Sequence, residues 1–188
     1  MKNAILLHGR PSKKEFFDPE KPSESNCHWF PWLQKQLLIN GVHAQTPEIL
    51  EPYAPKYENW QREIERFELA PETILVGHSC GGGALVRWLS ENPQIKVGKV
   101  VLVAPWIDVE KDDWPLFDFE IDSDIADRTA GLTIFHSTSD APEIQSSIKV
   151  LQAKLNNYKY VEFENAGHFT RKSMKTDEFP ELLKECLR

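Results

Sequence analysis

Short apolar runs alternate along the chain with longer segments whose apolar residues recur at helical spacing. The runs are nearly continuous rather than alternating, which is typical of strands buried on both faces of a sheet. Six segments predict strands: 3–8, 42–49, 73–79, 97–105, 132–137 and 159–167, of which 42–49 has the weaker pattern. The pattern therefore predicts a sheet of about six, mostly parallel strands.

Amphipathic segments between these runs predict helices that cover the sheet. They lie at 28–40, 56–69, 80–92, 141–156 and 177–187, and Gly41 is a candidate C-cap for the first. The segments 11–27 and 106–130 carry no such periodicity. We expect 11–27 to be a long loop and 106–130 to be a connection with short helical turns at best. Strands that alternate with helices in this way predict a compact three-layer α/β/α sandwich, formed by residues 1–188 as a single domain.

Composition and charge exclude several classes of function. The chain has 188 residues and a net charge of −7, so we expect no nucleic-acid partner. Cys27, Cys80 and Cys186 are far apart in the sequence, which favours neither a disulfide framework nor a zinc cluster and makes a reducing compartment the default. No apolar run is long enough for a signal peptide or a membrane span, so a cytoplasmic location is expected. The sequence does not indicate an oligomeric state.

The segment "ILVGHSCGGGAL" contains the motif G-x-S-x-G, with Ser79 between Gly77 and Gly81. Such a serine sits on a sharp turn from strand to helix, where its hydroxyl stands clear of the sheet. A plain turn and a phosphate-binding loop are the alternatives. A phosphate-binding loop would have a lysine and a hydroxyl-bearing residue directly after its glycines, and this segment has neither. Because a predicted strand precedes the motif and a helix follows, we interpret Ser79 as a nucleophile, supported by His78. The backbone N–H of Cys80 is then a candidate oxyanion donor.

A serine hydroxyl needs a base to become nucleophilic, and His168 is the leading candidate among six histidines. It follows the last predicted strand in "ENAGHFT". His78 lies within the motif and is expected to give packing or polar support, and His8 to shape the pocket wall. His136 lies at a strand end. His28 and His43 have no evident catalytic neighbours.

Two carboxylates compete for the role of orienting this base. Asp140 lies in "FHSTSDAPEI" after the fifth predicted strand, whereas Asp108 follows the strand before it. We favour Asp140, because its loop directly precedes the last strand and His168. Its alternative role is an acidic residue at the start of a helix.

A second oxyanion donor is expected from the loop after the first strand. In "LLHGR" the turn at Gly9 leads to Arg10, whose backbone N–H can point at the carbonyl of a substrate. Nucleophile, acid, base and oxyanion donors need neither a metal nor an organic cofactor.

Together, "LLHG", "GHSCGG", "STSD" and "AGHF" resemble the α/β-hydrolase superfamily, and within it the compact YdeN-like serine hydrolases that include the retinoblastoma-binding serine hydrolases. The resemblance covers nearly the whole chain. It implies a minimal α/β-hydrolase fold without a large cap domain, with Ser79 as nucleophile, Asp140 as acid and His168 as base. Arg10 and Cys80 would give the oxyanion amides. Hydrolysis of small esters is the activity that this family implies.

The expected function is therefore that of a carboxylesterase-like serine hydrolase, which cleaves an ester, thioester or amide of a small acyl substrate through an acyl-enzyme. A catalytically silent binding protein on the same fold and an acyltransferase are the alternatives. The long segment 11–27 is a candidate lid. Aromatic side chains are candidates for an apolar acyl pocket or for ordinary core: Phe16, Phe17, Trp29, Trp32, Trp106, Trp114, Phe117 and Phe119.

Overall fold

A computed structural model describes residues 2–54, 56–109 and 118–188 and contains one six-stranded sheet. The strand order is β2-β1-β3-β4-β5-β6, and all five neighbouring pairs are parallel. The strands are β1 (Asn3–Leu7), β2 (His43–Gln45), β3 (Ile74–His78), β4 (Val100–Val103), β5 (Leu132–Ser137) and β6 (Lys159–Phe163). The prediction of about six mostly parallel strands is confirmed.

Burial along the strands explains why the apolar runs predicted them so well. Every residue of β3, β4 and β5 is buried, so these strands require apolar side chains on both faces. The edge strands β2 and β6 expose part of their length, which fits their more polar sequences. The segment 42–49 forms a strand of only three residues. Pro47 lies two residues beyond it and lacks the N–H that a longer ladder would use.

Seven helices accompany the sheet within the described residues. They are α1 (Lys13–Phe16), α2 (Phe30–Ile39), α3 (Tyr57–Glu65), α4 (Cys80–Glu91), α5 (Pro142–Lys154), α6 (Arg171–Met174) and α7 (Pro180–Cys186). Right-handed crossovers place α2 on one face of the sheet and α3, α4 and α5 on the other, because the chain reverses its direction across the sheet after β2. Since α7 packs against α2 and α3 against α4, the predicted three-layer sandwich is confirmed. The described ranges contain no large cap domain.

Short helical turns interrupt the segment that the sequence predicted as a continuous loop. Within 11–27 the structure has α1 and a 3₁₀ turn at Glu24–Asn26. Ser12 and Glu15 form a capping box, in which each side chain accepts a hydrogen bond from the other residue's backbone N–H. Thr170 and Ser173 cap α6 in the same way. Local side-chain caps of this kind stabilise helices too short to show apolar periodicity.

The chain order of the strands determines where a site can form. The path leads from β1 outward to β2, and then returns past β1 to β3 and onward to β6. The carboxyl ends of β1 and β3 therefore flank the point where the direction reverses, which is where open α/β sheets bind their ligands. No helix of the described chain is long and apolar enough to cross a membrane.

Candidate active site

Ser79 occupies a strained turn between β3 and α4. Its φ of 54° and ψ of −122° lie in a region that side-chain-bearing residues rarely adopt. Backbone hydrogen bonds hold it there: its N–H donates to the Val103 carbonyl at 2.9 Å, and its carbonyl accepts from Gly83 at 3.1 Å and Trp106 at 3.0 Å. Ser79 is part-exposed, whereas its neighbours His78 and Cys80 are buried.

Glycines allow the two loops beside this serine to approach each other closely. A Cβ on Gly81 would lie 2.5 Å from the carbonyl oxygens of both Leu7 and His8, and a Cβ on Gly9 would lie 2.9 Å from the Cβ of Ser79. A Cβ on Gly77 would likewise lie 2.7 Å from the Gly81 carbonyl oxygen. The start of α4 therefore packs directly on the end of β1, and the loop after β1 contacts the candidate nucleophile.

Asp140 and His168 meet at the carboxyl ends of β5 and β6. The Nδ1 atom of His168 lies 3.0 Å from each carboxylate oxygen of Asp140. The Asp140 side chain is 1% exposed and that of His168 is 32% exposed, so the carboxylate is covered and the ring is accessible. Because Nδ1 faces a carboxylate, it carries the proton, and Nε2 is left as the basic nitrogen.

The loop that carries His168 is anchored at three points. The His78 ring donates from Nε2 to the His168 carbonyl at 2.8 Å, and the Trp29 indole donates to the Phe169 carbonyl at 3.1 Å. The Gly167 N–H donates to the Ser139 hydroxyl at 3.0 Å. These contacts hold the backbone on both sides of the imidazole, and His78 makes one of them.

Ser79 and His168 both line a cavity of about 1130 Å³, together with Gly9, Arg10 and His78. The described residues include no hydrogen bond between the Ser79 hydroxyl and the His168 ring. In ligand-free sites such contacts are often long and tighten when substrate binds. The structure thus brings residues of three predicted segments to one cavity at the point where the sheet direction reverses, and Asp140 of the fourth segment contacts His168 behind it.

Asp108, the competing acid, does not lie at this cavity. It is buried, adopts a φ of 40°, and lines a separate cavity with Ile107 and Phe119. Of the two candidate carboxylates, only Asp140 contacts His168 in the described structure.

The cysteines nearest the site remain thiols. Burial is the main cause that raises the pKa of the Cys80 thiol, and burial followed by Glu24 raises the pKa of Cys27 to about 11. Since the thiolate is the reactive form of cysteine, neither residue competes with Ser79 as a nucleophile at neutral pH.

Cys80 and Arg10, whose backbone amides the sequence proposes as oxyanion donors, both lie beside Ser79 or the adjoining Gly9. Cys80 is the first residue of α4, where the helix dipole favours negative charge. Arg10 follows directly on the contact between Gly9 and Ser79, and its guanidinium lies 5.3 Å from the centre of the Trp106 ring. The described residues contain no cluster of His, Cys, Asp or Glu that could hold a metal ion.

His8 connects the loop after β1 to the segment that follows β2 through two hydrogen bonds. Its Nδ1 donates to the Gly9 carbonyl at 2.8 Å, and its Nε2 accepts the Ile49 N–H at 3.0 Å. Burial lowers the pKa of His8, against the opposing effect of Glu48. Burial also lowers the pKa of His78 well below its ordinary value, helped by the neighbouring His168 and His28 rings. Both rings are therefore neutral and hold one tautomer each.

Acid should destabilise the fold through His78. In the unfolded chain the His78 ring takes up a proton near pH 6.5, whereas in the folded protein its lowered pKa keeps it neutral at that pH. The contribution of this ring to the unfolding free energy is therefore fully present above pH 6.5 and is lost as the pH falls below it. Replacing His78 by Gln should reduce the pH slope of the unfolding free energy by about 1.4 kcal/mol per pH unit below pH 6.5. Urea titrations at about pH 7.5, 6.5 and 5.5 measure that slope.

The comparison between variants is needed because Glu24 acts in the opposite direction. Burial and Glu15 raise the pKa of Glu24 to about 7, so its protonation stabilises the folded state as the pH falls. The exposed His43 gives a matched control, His43→Gln. Equal slopes for the His78 and His43 variants would contradict the assignment.

The sequence prediction for His28 was wrong. Its ring lies 6.2 Å from that of His78, and the residue lines the same cavity as Ser79 and His168. Its Nδ1 accepts the backbone N–H of Arg171 at 3.2 Å. These neighbours are far from His28 in sequence, so no local pattern could have identified them.

The sequence left the aromatic candidates open between an acyl pocket and ordinary core, and most of the described ones do not line the cavity. Only Trp32 of the candidates lines the cavity within the described residues. Trp29 is 1% exposed and belongs to the core, while Phe16 and Phe17 pack around Tyr53 on the outer side of the 11–27 segment. Trp114 and Phe117 lie outside the described residues. Residues of 11–27 do line the cavity, among them Pro11, Lys21 and Glu24.

The chain is similar to known proteins both in sequence and in fold. The family model of serine hydrolases matches residues 21–184. Among curated proteins, the chain is 37% identical over 86 residues to YdeN of Bacillus subtilis (strain 168), a protein named as a hydrolase. That alignment covers 44% of this chain and 45% of YdeN, less than half of the curated relative.

Solved structures share the fold over the whole chain. The ydeN gene product of B. subtilis superposes with a TM-score of 0.80 at 24% identity, over 98% of this chain and 96% of that one. Est1E of Butyrivibrio proteoclasticus gives a TM-score of 0.65 at 14% identity, over 98% and 88% of the two chains. A yden-like hydrolase of Pectobacterium atrosepticum gives 0.61 at 21% identity, over 99% and 91%.

Proposed function

Because the chain belongs to the serine hydrolase family, we propose that it hydrolyses the ester of a small acyl substrate through Ser79, His168 and Asp140. The observation that carries the proposal is the paired contact of His168 Nδ1 with both oxygens of Asp140, beside a cavity that also exposes the strained Ser79. Thioesters and amides present the same carbonyl chemistry and are the wider substrate class.

In the first half of the reaction, the Ser79 oxygen attacks the carbonyl carbon while His168 Nε2 takes the hydroxyl proton. Asp140 stabilises the imidazolium that forms and keeps the ring in the required tautomer. The backbone amides of Arg10 and Cys80 donate to the oxyanion of the tetrahedral intermediate. The intermediate collapses when His168 returns its proton to the leaving alcohol, and an acyl-Ser79 ester remains.

In the second half, water replaces the alcohol as the attacking group. His168 removes a proton from the water, and the resulting tetrahedral intermediate releases the acid and restores the Ser79 hydroxyl. None of these steps requires a group beyond the chain itself and water. The reaction is that of a carboxylesterase.

A fluorophosphonate probe tests which residue is the nucleophile. We expect stoichiometric loss of activity, with the phosphonyl group found by peptide mass spectrometry on the fragment that contains Ser79. Cys80 is adjacent, but a buried thiol with a raised pKa should not react. A protein that is folded, unlabelled and inactive on p-nitrophenyl esters would contradict the proposal and indicate a binding function instead.

A further inference from the structure

The active-site cavity carries positive charge although the protein as a whole is acidic. The chain has 29 acidic and 22 basic residues. Five cationic side chains nevertheless line the cavity: Arg10, Lys21, Arg171, Lys172 and Lys175. Three of these lie within five consecutive residues that follow His168 closely in sequence.

Few carboxylates balance these cations. Glu15 pairs with Lys21 at 2.7 Å, and Asp177 pairs with Arg171 at 3.3 Å. The third carboxylate of the cavity is Glu24, and burial followed by repulsion from Glu15 raises its pKa to about 7, so it is partly neutral at neutral pH. Lining charges of one sign in a concave site focus the field on the ligand.

Lys172 and Lys175 contribute to the excess of positive over negative charge in the cavity. Neither lysine forms an ion pair with any residue that the structure describes. Asp118 and Glu120, two described acidic residues that follow Asp108 in the sequence, line a different cavity. The part of the cavity wall beside His168 that Lys172 and Lys175 form is therefore positively charged.

His28 adds a hydrogen-bond donor to the same wall. Its Nδ1 accepts the Arg171 N–H, so the proton of the neutral ring is on Nε2, and burial keeps the ring neutral by lowering its pKa. Nε2 has no hydrogen-bond partner within the described residues, and His28 lines the cavity. His28 holds a φ of 56°, a backbone strain that recurs at functional positions.

We propose that the substrate is an ester that also carries an anionic group, such as a carboxylate or phosphate, which Lys172 and Lys175 attract and to which His28 donates a hydrogen bond. This inference rests on the proposed function and specifies its substrate class. The quantity that tests it is the ratio of kcat/KM for an anionic ester to that for a matched neutral ester. This ratio can be measured without knowledge of the natural substrate.

The first test compares esters that differ in charge but little in shape. On the leaving-group side, 4-acetoxybenzoate is compared with its methyl ester, and on the acyl side monophenyl adipate is compared with methyl phenyl adipate. Phenol release is followed, and each kcat/KM is divided by the rate of uncatalysed hydrolysis. We expect at least one anion to be preferred about fivefold or more, with the preference falling as salt is added. Equal ratios at low salt in both pairs would overturn the proposal.

Charge-reversal variants then locate the effect. The double variant Lys172→Glu, Lys175→Glu should lower the ratio of anionic to neutral kcat/KM about tenfold. Lys35→Glu with Lys149→Glu makes the same change in net charge at exposed positions outside the cavity and should leave the ratio unchanged. An equal drop in both double variants would assign the preference to net charge and overturn the local site. If the cavity variant does not fold, the salt dependence of the unaltered protein still decides.

A matched pair of variants tests the part assigned to His28. His28→Gln keeps an N–H donor and His28→Leu removes it, while both side chains bear the same strain at φ 56°. The Leu variant should lose most of the preference for the anion and the Gln variant should retain it; equal ratios in the two would overturn this role. Failure of all esters to react would instead contradict the proposed hydrolysis, which the neutral esters report separately.

Discussion

Replacing Ser79 by alanine is expected to lower kcat/KM for p-nitrophenyl acetate by about 10⁴-fold or more and to abolish fluorophosphonate labelling. The alcohol oxygen is the atom that forms the acyl bond, and the residue offers no second nucleophile once that oxygen is removed. Alanine retains the Cβ that lies on the side facing Gly9, so the close approach of the two loops is preserved. The backbone strain at φ 54° is also the same for serine and alanine.

The matched control is Ser146→Ala, on α5 and outside the cavity. It should leave both labelling and kinetics near those of the unaltered protein. If Ser79→Ala kept more than about a tenth of the activity, hydrolysis would have to proceed through another nucleophile, because an oxyanion hole and binding alone leave far less. Thermal unfolding of both variants shows whether any loss comes from chemistry or from folding.

The sheet could be predicted because its strands satisfy one simple constraint. Helices cover both faces, so β3, β4 and β5 are buried at every position, and most of their residues are apolar and form short continuous runs in the sequence. The sequence did not predict the shortest elements, because they are too short to show apolar periodicity. These are the 3₁₀ turn at Glu24–Asn26 and the four-residue helices α1 and α6. The Ser12–Glu15 capping box was the one local signal that could have indicated α1.

The residues proposed as catalytic follow strand ends, and this allowed the sequence to predict them. Ser79, Asp140 and His168 come directly after, or a few residues after, β3, β5 and β6. In a parallel sheet the carboxyl ends of the strands share one edge, so chain order alone brings these residues together. The catalytic roles remain a proposal, whereas the contact between Asp140 and His168 is a feature of the structure.

Substrate-facing residues could not be predicted in the same way. His28 reaches the cavity because its Nδ1 contacts Arg171, a residue 143 positions away. Trp29, its neighbour in sequence, turns inward to the core and donates to the Phe169 carbonyl. Two adjacent aromatic residues therefore lie in different places, His28 at the cavity and Trp29 in the core. Tertiary packing rather than residue type determines this difference.

Replacing Asp140 by asparagine should lower kcat for ester hydrolysis by about 10³- to 10⁴-fold with little change in the fold. Asparagine can keep the 2.7 Å contact in which Oδ1 accepts the Ala141 N–H. Its amide nitrogen then faces His168 Nδ1 and donates to it, which drives the ring proton to Nε2. A protonated Nε2 cannot accept the proton of Ser79, so the variant has the right geometry and the wrong tautomer. Nitrogen chemical shifts of the imidazole report the tautomer directly.

The decisive control is Asp108→Asn, because both residues are carboxylates that the sequence offers for the same role. Asp108 is buried at φ 40°, a conformation that asparagine tolerates, so the substitution is matched in shape and strain. It should change kcat by less than about threefold, since Asp108 lines another cavity and it is Asp140 that contacts Nδ1 of His168. A large loss in Asp108→Asn with a small one in Asp140→Asn would reverse the assignment. Equal large losses would mean that the base is oriented through both loops, which the contact between Asp140 and His168 does not favour.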